Sequence, residues 1–265
     1  MAMSLRTALT DSRASAIPHT TVSPSAASIW ALGRIETKRM LLHPAFLVGM
    51  AFPVLLARGL VGGRGTAPTL SLVIVGLLLG LLIGTVLTAN IAALRPSRDH
   101  VQELFGALPA PPETRTAGVF VGLLLGPVAI SSLLTVLGWM LFRTDPKFGP
   151  DLDLFLVAQI PLTIAALGAI GVAIGRWAPI VLGGPAIIAV HTFTGVGWAV
   201  PWIQNTGSGI HRGWHMVYLV AAVTTWVALA FARDRRTAWR FAIAGGAFAL
   251  GVYAAFHQIP LGGLQ

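Results

Sequence analysis

Six apolar runs, each about the length a helix needs to cross a bilayer, fill most of this chain: Leu41 to Leu60, Leu70 to Leu94, Ala117 to Phe142, Leu154 to Gly175, Ala178 to Val200 and Trp214 to Phe231. A hydrocarbon core of about 30 Å takes about 20 helical residues, and irregular backbone exposed to lipid has no water to satisfy its polar groups. The expected fold is therefore all-α, a polytopic transmembrane helix bundle. Composition agrees, with 55% of residues hydrophobic and 10% charged, against about 25% charged in an ordinary soluble domain. A seventh run, Phe241 to Phe256, covers roughly 24 Å at about 1.5 Å per residue. That is marginal for crossing, so a re-entrant or interfacial helix competes with a seventh span.

Residues 1 to 27 are rich in Ser, Thr, Ala and Pro without an apolar core. They are expected to form a disordered cytoplasmic tail and not a removable signal peptide. The chain has no Cys, which excludes disulfides, thiolate metal sites, cysteine nucleophiles and a lipidated cysteine. Its formal net charge of +9 would suit nucleic acid in a soluble protein, but here the cations fall where the positive-inside rule puts them. With the N-terminus inside, Arg6, Arg13, Arg34, Lys38, Arg39, Arg95, Arg98, Arg115, Arg176, Arg233, Arg235, Arg236 and Arg240 are cytoplasmic. Only Arg58, Arg64, Arg143, Lys147 and Arg212 fall outside. Thirteen against five supports both the orientation and the breaks between the six main runs, since a missed span would invert the signs beyond it. Sixteen Arg to two Lys points to a GC-rich bacterial source, which makes the expected location a bacterial plasma membrane.

Residues 28–43 are expected to form a helix along the cytoplasmic face, turning into the membrane at Pro44. Arg34 and Lys38 share one side, whereas Glu36 and Arg39 intrude on the apolar flank, so this is a weaker surface anchor than a dedicated amphipathic helix. The transmembrane domain then occupies residues 44–258 and a short tail 259–265. Gly76, Gly80, Gly84 and Thr88 in the second run, and Gly118, Gly122 and Gly126 in the third, recur every four residues. Such ridges let backbones approach closely in lipid, so they are expected to pack the second and third spans together or to form a dimer seam. Pro127 directly follows its ridge and offers a place to kink the third span. Gly168, Gly171 and Gly175 repeat the pattern in the fourth run, and Arg176 and Trp177 make a tight corner into the fifth.

All nine acids lie in the tail, the connectors or the cytoplasmic segments. Ion-coupled carriers generally need an ionisable group inside the membrane, and enzymes acting on magnesium diphosphates need paired carboxylates, so both classes lose ground. The chain has no P-loop sequence, no HExxH pair and no GxSxG elbow, which removes the usual signatures of nucleotide binding, zinc hydrolysis and serine hydrolysis. His211 and His215 are four apart but only flank the start of a run. No catalytic, cofactor-binding or metal-ligating residue is assigned. Polar side chains inside the runs, Asn90, Gln159, His191, Thr192 and Thr194, are the remaining candidates for ligand contact. His191, Thr194, Gly195 and Trp198 share one face at offsets 0, 3, 4 and 7. That face either borders a translocation path or packs, with His191 bonded to a neighbouring helix and Trp198 anchored at the interface. Gly183, Gly184 and Pro185, a turn or more earlier, are placed to bend this helix.

Between the second and third runs stands RPSRDHVQELFGALPAPPETR, Arg95 to Arg115, in which Val101, Leu104, Phe105 and Leu108 also fall at offsets 0, 3, 4 and 7. On a helix these four lie within roughly an 80° arc. A loop joining two spans needs no apolar stripe, because nothing in water covers one. A partner outside the chain is expected to cover it.

With RIETKRMLLHPAF (Arg34 to Phe46) ahead of the first span and RDHVQELFGALPAPPETRTAG (Arg98 to Gly118) after the second, the chain resembles the type-2 ATP-binding-cassette (ABC) exporter permeases. In that family an interfacial helix bearing Glu and basic residues precedes span 1. A cytoplasmic coupling helix ending near a Leu-Pro pair, here Leu108 and Pro109, links spans 2 and 3 and docks on the ATPase. The resemblance implies that segment 95–116 carries the coupling face, through Val101, Glu103, Leu104, Phe105 and Leu108. It implies as partners two ABC ATPase subunits, a second permease copy or sister permease, and membrane lipids, with no nucleic acid. On this reading the chain is not an enzyme and binds no cofactor, since ATP and Mg sit on the partner ATPase. ATP-driven rocking would move a hydrophobic or amphiphilic drug, natural product or lipid-like substrate outward by alternating access, along a path to which Asn90, Gln159, His191, Thr194 and Trp198 are the candidate contributors. The alternative from another class is a non-transporting membrane scaffold or sensor subunit whose cytoplasmic helix recruits a regulatory protein. An integral-membrane transferase ranks below both.

Overall fold

The computed structural model describes residues 25–51, 81–95, 111–143, 154–178, 180–193, 203 and 211–258, and the regular elements among them are all helical. In chain order they are α1 (Ala26–Leu41), α2 (44–51), α3 (Leu81–Arg95), α4 (Pro112–Leu123), α5 (Ala129–Phe142), α6 (Leu154–Trp177), α7 (Gly183–Phe193), α8 (Arg212–Asp234) and α9 (Ala238–Gln258). A single π-helical turn, Leu124–Val128, joins α4 to α5. Four stretches, Pro112–Met140, Val157–Trp177, Arg212–Asp234 and Ala238–Gln258, are long and apolar enough to cross a membrane. The described part of the chain is thus all-helical, with the long apolar helices of a membrane protein. Parts of the first, second and fifth apolar runs appear as the shorter helices α2, α3 and α7, and the rest of those runs falls outside the described residues. So do Gly76, Gly80, Thr194, Trp198 and the whole coupling stripe from Val101 to Leu108.

The middle of the bundle is α6. Its most apolar window is 78% buried, against 11% for that of α9, which lies at the periphery. Three glycines explain why α6 can be surrounded so closely. A Cβ on Gly168 would meet Leu123 at 2.5 Å, one on Gly171 would meet the Val86 carbonyl oxygen at 2.5 Å, and one on Gly175 would meet the Asn90 side chain at 2.7 Å. The α3 backbone and the Leu123 side chain of α4 therefore sit where any side chain would collide. Around this contact Val86, Ile164, Leu167 and Ile170 form one apolar cluster, and Met40, Ala89, Leu123, Val172 and Ala230 form another. Outward, Leu133, Leu137 and Met140 of α5 and Phe248, Tyr253 and Phe256 of α9 are exposed. In water such faces would aggregate; lipid covers them at no cost.

The described glycines of the two ridges pack, but not on each other. Gly118, Gly122 and Gly126 lie against Leu32, Gly33, Glu36, Thr37 and Leu41 of α1, while Gly84 lies against Ala45, Phe46 and Gly49 of α2. Gly84 on one side and Gly118, Gly122 and Gly126 on the other therefore do not pair the second and third runs; Gly76 and Gly80 lie outside the described residues. A four-residue ridge announces that some backbone comes close without saying which. On α1 the facing residues Gly33, Thr37 and Leu41 are also four apart, so two helices of the same period mesh lengthwise. The lead-in helix is consequently docked on α4 and does not lie alone along a surface.

Beyond Gly126 the buried small residues continue as Ser131 and Thr135, a step of five and then four. The extra residue is taken up by the π turn, which contains Pro127. Proline has no N–H to give and its ring crowds the preceding turn, and a single wide turn relieves both. Ser131 and Thr135 then return their hydroxyls to the Pro127 and Ser131 carbonyls at 2.6 and 2.7 Å.

Two further boundaries differ from expectation. The fifth run begins its helix at Gly183, after a corner over residues 178–182, so Gly183, Gly184 and Pro185 form the first turn of α7 and have no preceding helix to bend. Proline is well placed there because first-turn N–H groups have no partner to lose. At the other end of the chain, α9 has 21 residues instead of the sixteen of its apolar run, about 32 Å at 1.5 Å per residue. It starts early because the Arg240 guanidinium is absorbed by the Phe231 carbonyl at 2.6 Å and Glu113 at 3.2 Å. It runs antiparallel along α8, reaching His211, whose N–H donates to the Gln258 carbonyl at 3.3 Å.

Candidate functional site: the ion-paired end of the bundle

One end of the bundle collects the last turns of α3, α6 and α8, the first turns of α4 and α9, and α1. Arg34, Lys38, Arg39, Arg95, Arg115, Arg176, Arg233, Arg235, Arg236 and Arg240 are all here, whereas Arg143 and Arg212 stand at the far end. Among the described residues four of these cations pair with acids: Arg39 with Glu36 on its own helix, and three more in interhelical pairs that use six different helices. Arg95 at the end of α3 bonds both oxygens of Glu36 on α1, at 2.7 and 3.0 Å. Arg240 of α9 holds Glu113 in the first turn of α4. Arg176 at the end of α6 holds Asp234 at the end of α8, whose side chain is fully buried. Glu113 sits at a helix N-terminus and Arg176 in a last turn, so each also suits the helix dipole.

Aromatic groups reinforce this belt. Trp177 donates its indole N–H to the Leu229 carbonyl at 2.9 Å, and its ring lies within 6 Å of the Arg233 and Arg236 guanidinium groups. Phe120 of α4 stacks on Phe231 of α8 with centroids 5.8 Å apart. Attraction between a cation and the face of a ring adds about 0.5–1 kcal/mol per pair at exposed sites.

Segment 96–110 is attached to this end. Its entry, Arg95, is held by Glu36, and its exit, α4, is held along Gly118 to Gly126 by the same helix α1. The helices on either side of the segment are thus both held by α1. In the break between α1 and α2, His43 accepts a hydrogen bond at Nδ1 from the Ala45 N–H at 3.2 Å, capping α2. Burial first, and the neighbouring Arg95 second, hold its imidazole below the ordinary value of 6.5.

Of the polar residues expected along a path, the three that lie among the described residues, Asn90, Gln159 and His191, do not converge. Asn90 is fully buried and donates from Nδ2 to the Ile180 and Val181 carbonyls at 3.0 and 2.7 Å, so it pins the corner between α6 and α7. Gln159 is also fully buried, but it precedes Gly175, the α6 residue against Asn90, by 16 residues, about 24 Å along the axis. His191 is half-buried on α7, two turns beyond the corner that Asn90 holds. At the far end His215 meets Gln258 at 2.9 Å and the Phe155 ring at 5.8 Å, joining α6, α8 and α9. Among the described residues no three His, Asp or Glu side chains converge as metal ligands would.

Sequence reading misses the three interhelical ion pairs. Their signal is positional: each member but Glu36 lies within a turn or so of a helix end, where two opposite charges on neighbouring helices can meet. Comparison of the chain with protein-family models, with curated proteins and with solved structures finds no match to any of them.

Proposed function

We propose that this chain is the membrane-spanning permease subunit of an ATP-driven exporter of the type-2 ABC class, with its basic end in the cytoplasm. The observation that carries this reading is the grip of α1 on both attachments of segment 96–110, through Glu36 to Arg95 and through Gly33 to Gly118. A lever that enters the membrane domain needs stiff joints at both ends, and a plain connecting loop needs neither. The stripe Val101, Leu104, Phe105 and Leu108 read from the sequence, with Glu103 beside it, is the face that meets the ATPase. ATP binding to the partner closes it, the segment moves, and the ion-paired belt passes the motion to six helices as rigid bodies. The substrate class is amphiphilic, moved across a bacterial plasma membrane between two permease copies, and His191 and Thr194 border its route. The arrangement of basic residues at one end supports the orientation by the positive-inside rule.

The test is co-purification of the tagged chain from its native host in mild detergent. An ATPase should accompany it, and Phe105→Asp should release that ATPase while the membrane domain keeps its elution volume and melting point. Retention of the full ATPase complement by Phe105→Asp overturns the docking face. A soluble regulator in place of an ATPase favours the scaffold reading.

A further inference from the structure

Arg34 and Lys38 differ from four of the cations at this end of the bundle. Neither has an acidic partner among the described residues, whereas Arg39, Arg95, Arg176 and Arg240 each hold a carboxylate. Both are exposed on one side of α1 at i and i+4, a spacing that puts their Cβ atoms about 6 Å apart. Together with Thr37, Leu41, Leu42 and Leu125 they line a groove of about 470 Å³ between α1 and the π turn. The groove changes character along its length, from two cations to three leucines, of which Leu42 and Leu125 are exposed. Trp30, one turn before Arg34, is also exposed, and tryptophan on the helix leading into a span settles at headgroup depth.

We propose that this groove binds one anionic glycerophospholipid, its phosphate between Arg34 and Lys38 and its acyl chain over Leu41, Leu42 and Leu125. Charge complementarity chooses this occupant. A phosphodiester between two otherwise uncompensated cations gains both attractions, and zwitterionic lipid brings its own cation into the same space. A protein partner would need acids matched to the cations and an apolar face matched to the leucines; a lipid offers both in one molecule already present at this depth. Thr37 does not compete for the phosphate as a donor, because its hydroxyl is given to the Gly33 carbonyl at 2.8 Å. The bound lipid would fasten α1 to the turn around Pro127 and so stiffen the helix that holds segment 96–110. The binding site itself does not depend on the transport reading.

The experiment uses the full chain in nanodiscs of equal dioleoyl-phosphatidylglycerol and dioleoyl-phosphatidylcholine, extracted into detergent, with retained lipid counted by native mass spectrometry. The wild type should retain phosphatidylglycerol over phosphatidylcholine by about tenfold, and the double variant Arg34→Gln/Lys38→Gln should lose that preference. The charge-matched variant Arg233→Gln/Arg236→Gln, at the same end but outside the groove, should keep it. Equal loss in both double variants would assign the effect to the whole basic belt and overturn the site. Displacement of the lipid by millimolar glycerol phosphate would also overturn it, since a headgroup-only site needs no leucines. Each variant is first required to elute and melt as the wild type; if the double variant fails to do so, Lys38→Gln alone is measured against Arg233→Gln on the same criterion.

Discussion

Glu36 and Arg95 stand 2.7 Å apart with both side chains mostly buried, and this contact ties α1 to the end of α3. Arg39 shares the carboxylate at 3.1 Å but is more than half exposed, so it adds little. Glu36→Gln should lower stability by about 1–2 kcal/mol, because the partly buried guanidinium loses its counter-charge. The exchange Glu36→Arg with Arg95→Glu should recover most of that loss. A double-mutant cycle on melting in detergent checks the pair, and a coupling near zero would dismiss it.

Glycine substitutions should sort by what their Cβ meets. Gly171→Ala drives a methyl onto the Val86 carbonyl oxygen at 2.5 Å, which is backbone and cannot swing away, so a loss of about 2 kcal/mol or more is expected. Gly138→Ala meets nothing within 4 Å and should be neutral or stabilise by up to about 1 kcal/mol through helix propensity. Parallel thermal melts of the two variants are sufficient; equal shifts would refute the packing of α6 on α3.

Asn90→Ala should free the corner between α6 and α7. Two carbonyls lose their donor in a buried place, a cost of about 2–3 kcal/mol. Limited proteolysis should then cut within residues 178–182 faster than in the wild type, while cutting elsewhere is unchanged.

Acid should loosen the junction between α1 and α2. Because the folded His43 imidazole lies below 6.5, its contribution is complete above that value, where it is neutral in both states. As pH falls from 6.5 through the depressed folded value, the unfolded chain takes up the proton first and stability declines. Protonated Nδ1 also cannot accept from Ala45. His43→Gln should flatten the melting temperature between pH 7.5 and 5.5 relative to the wild type; an unchanged slope would show that another group titrates.

A reporter fused after Gln265 should be active only on the side opposite to one fused ahead of Met1 if the six main runs and α9 all cross. The 21 residues of α9 and its course along the whole of α8 favour that outcome over a re-entrant helix. Activity of both reporters on the same side would refute it.

What could be read from the sequence followed from length and period. Apolar runs located four membrane-length helices because hydrocarbon thickness fixes helix length whatever the neighbours are. Glu36 looked like a blemish on the apolar flank of α1, since periodicity has no way to show that Arg95, 59 positions away, would turn that acid inward. The small-residue ridge was followed only to Gly126. Ser131 and Thr135 lie off the four-residue spacing, because the π turn containing Pro127 inserts one residue into the inward line. Asp234 was placed in a connector and is instead a buried counter-charge, which only the approach of α6 and α8 decides.

The wide turn at Leu124–Val128 has a consequence for chain length. A helix whose inward line runs Gly118, Gly122, Gly126, Ser131, Thr135 is one residue longer than its contacts require. Removing one residue there would close the turn to the ordinary pitch and leave the inward line intact. Removing one anywhere between Ala129 and Ser131 without closing the turn would rotate all that follows by about 100° and bring Ser132 and Val136 inward instead. The site of the surplus residue is thus the one place in this helix where the gene can change length by a codon and the bundle need not notice.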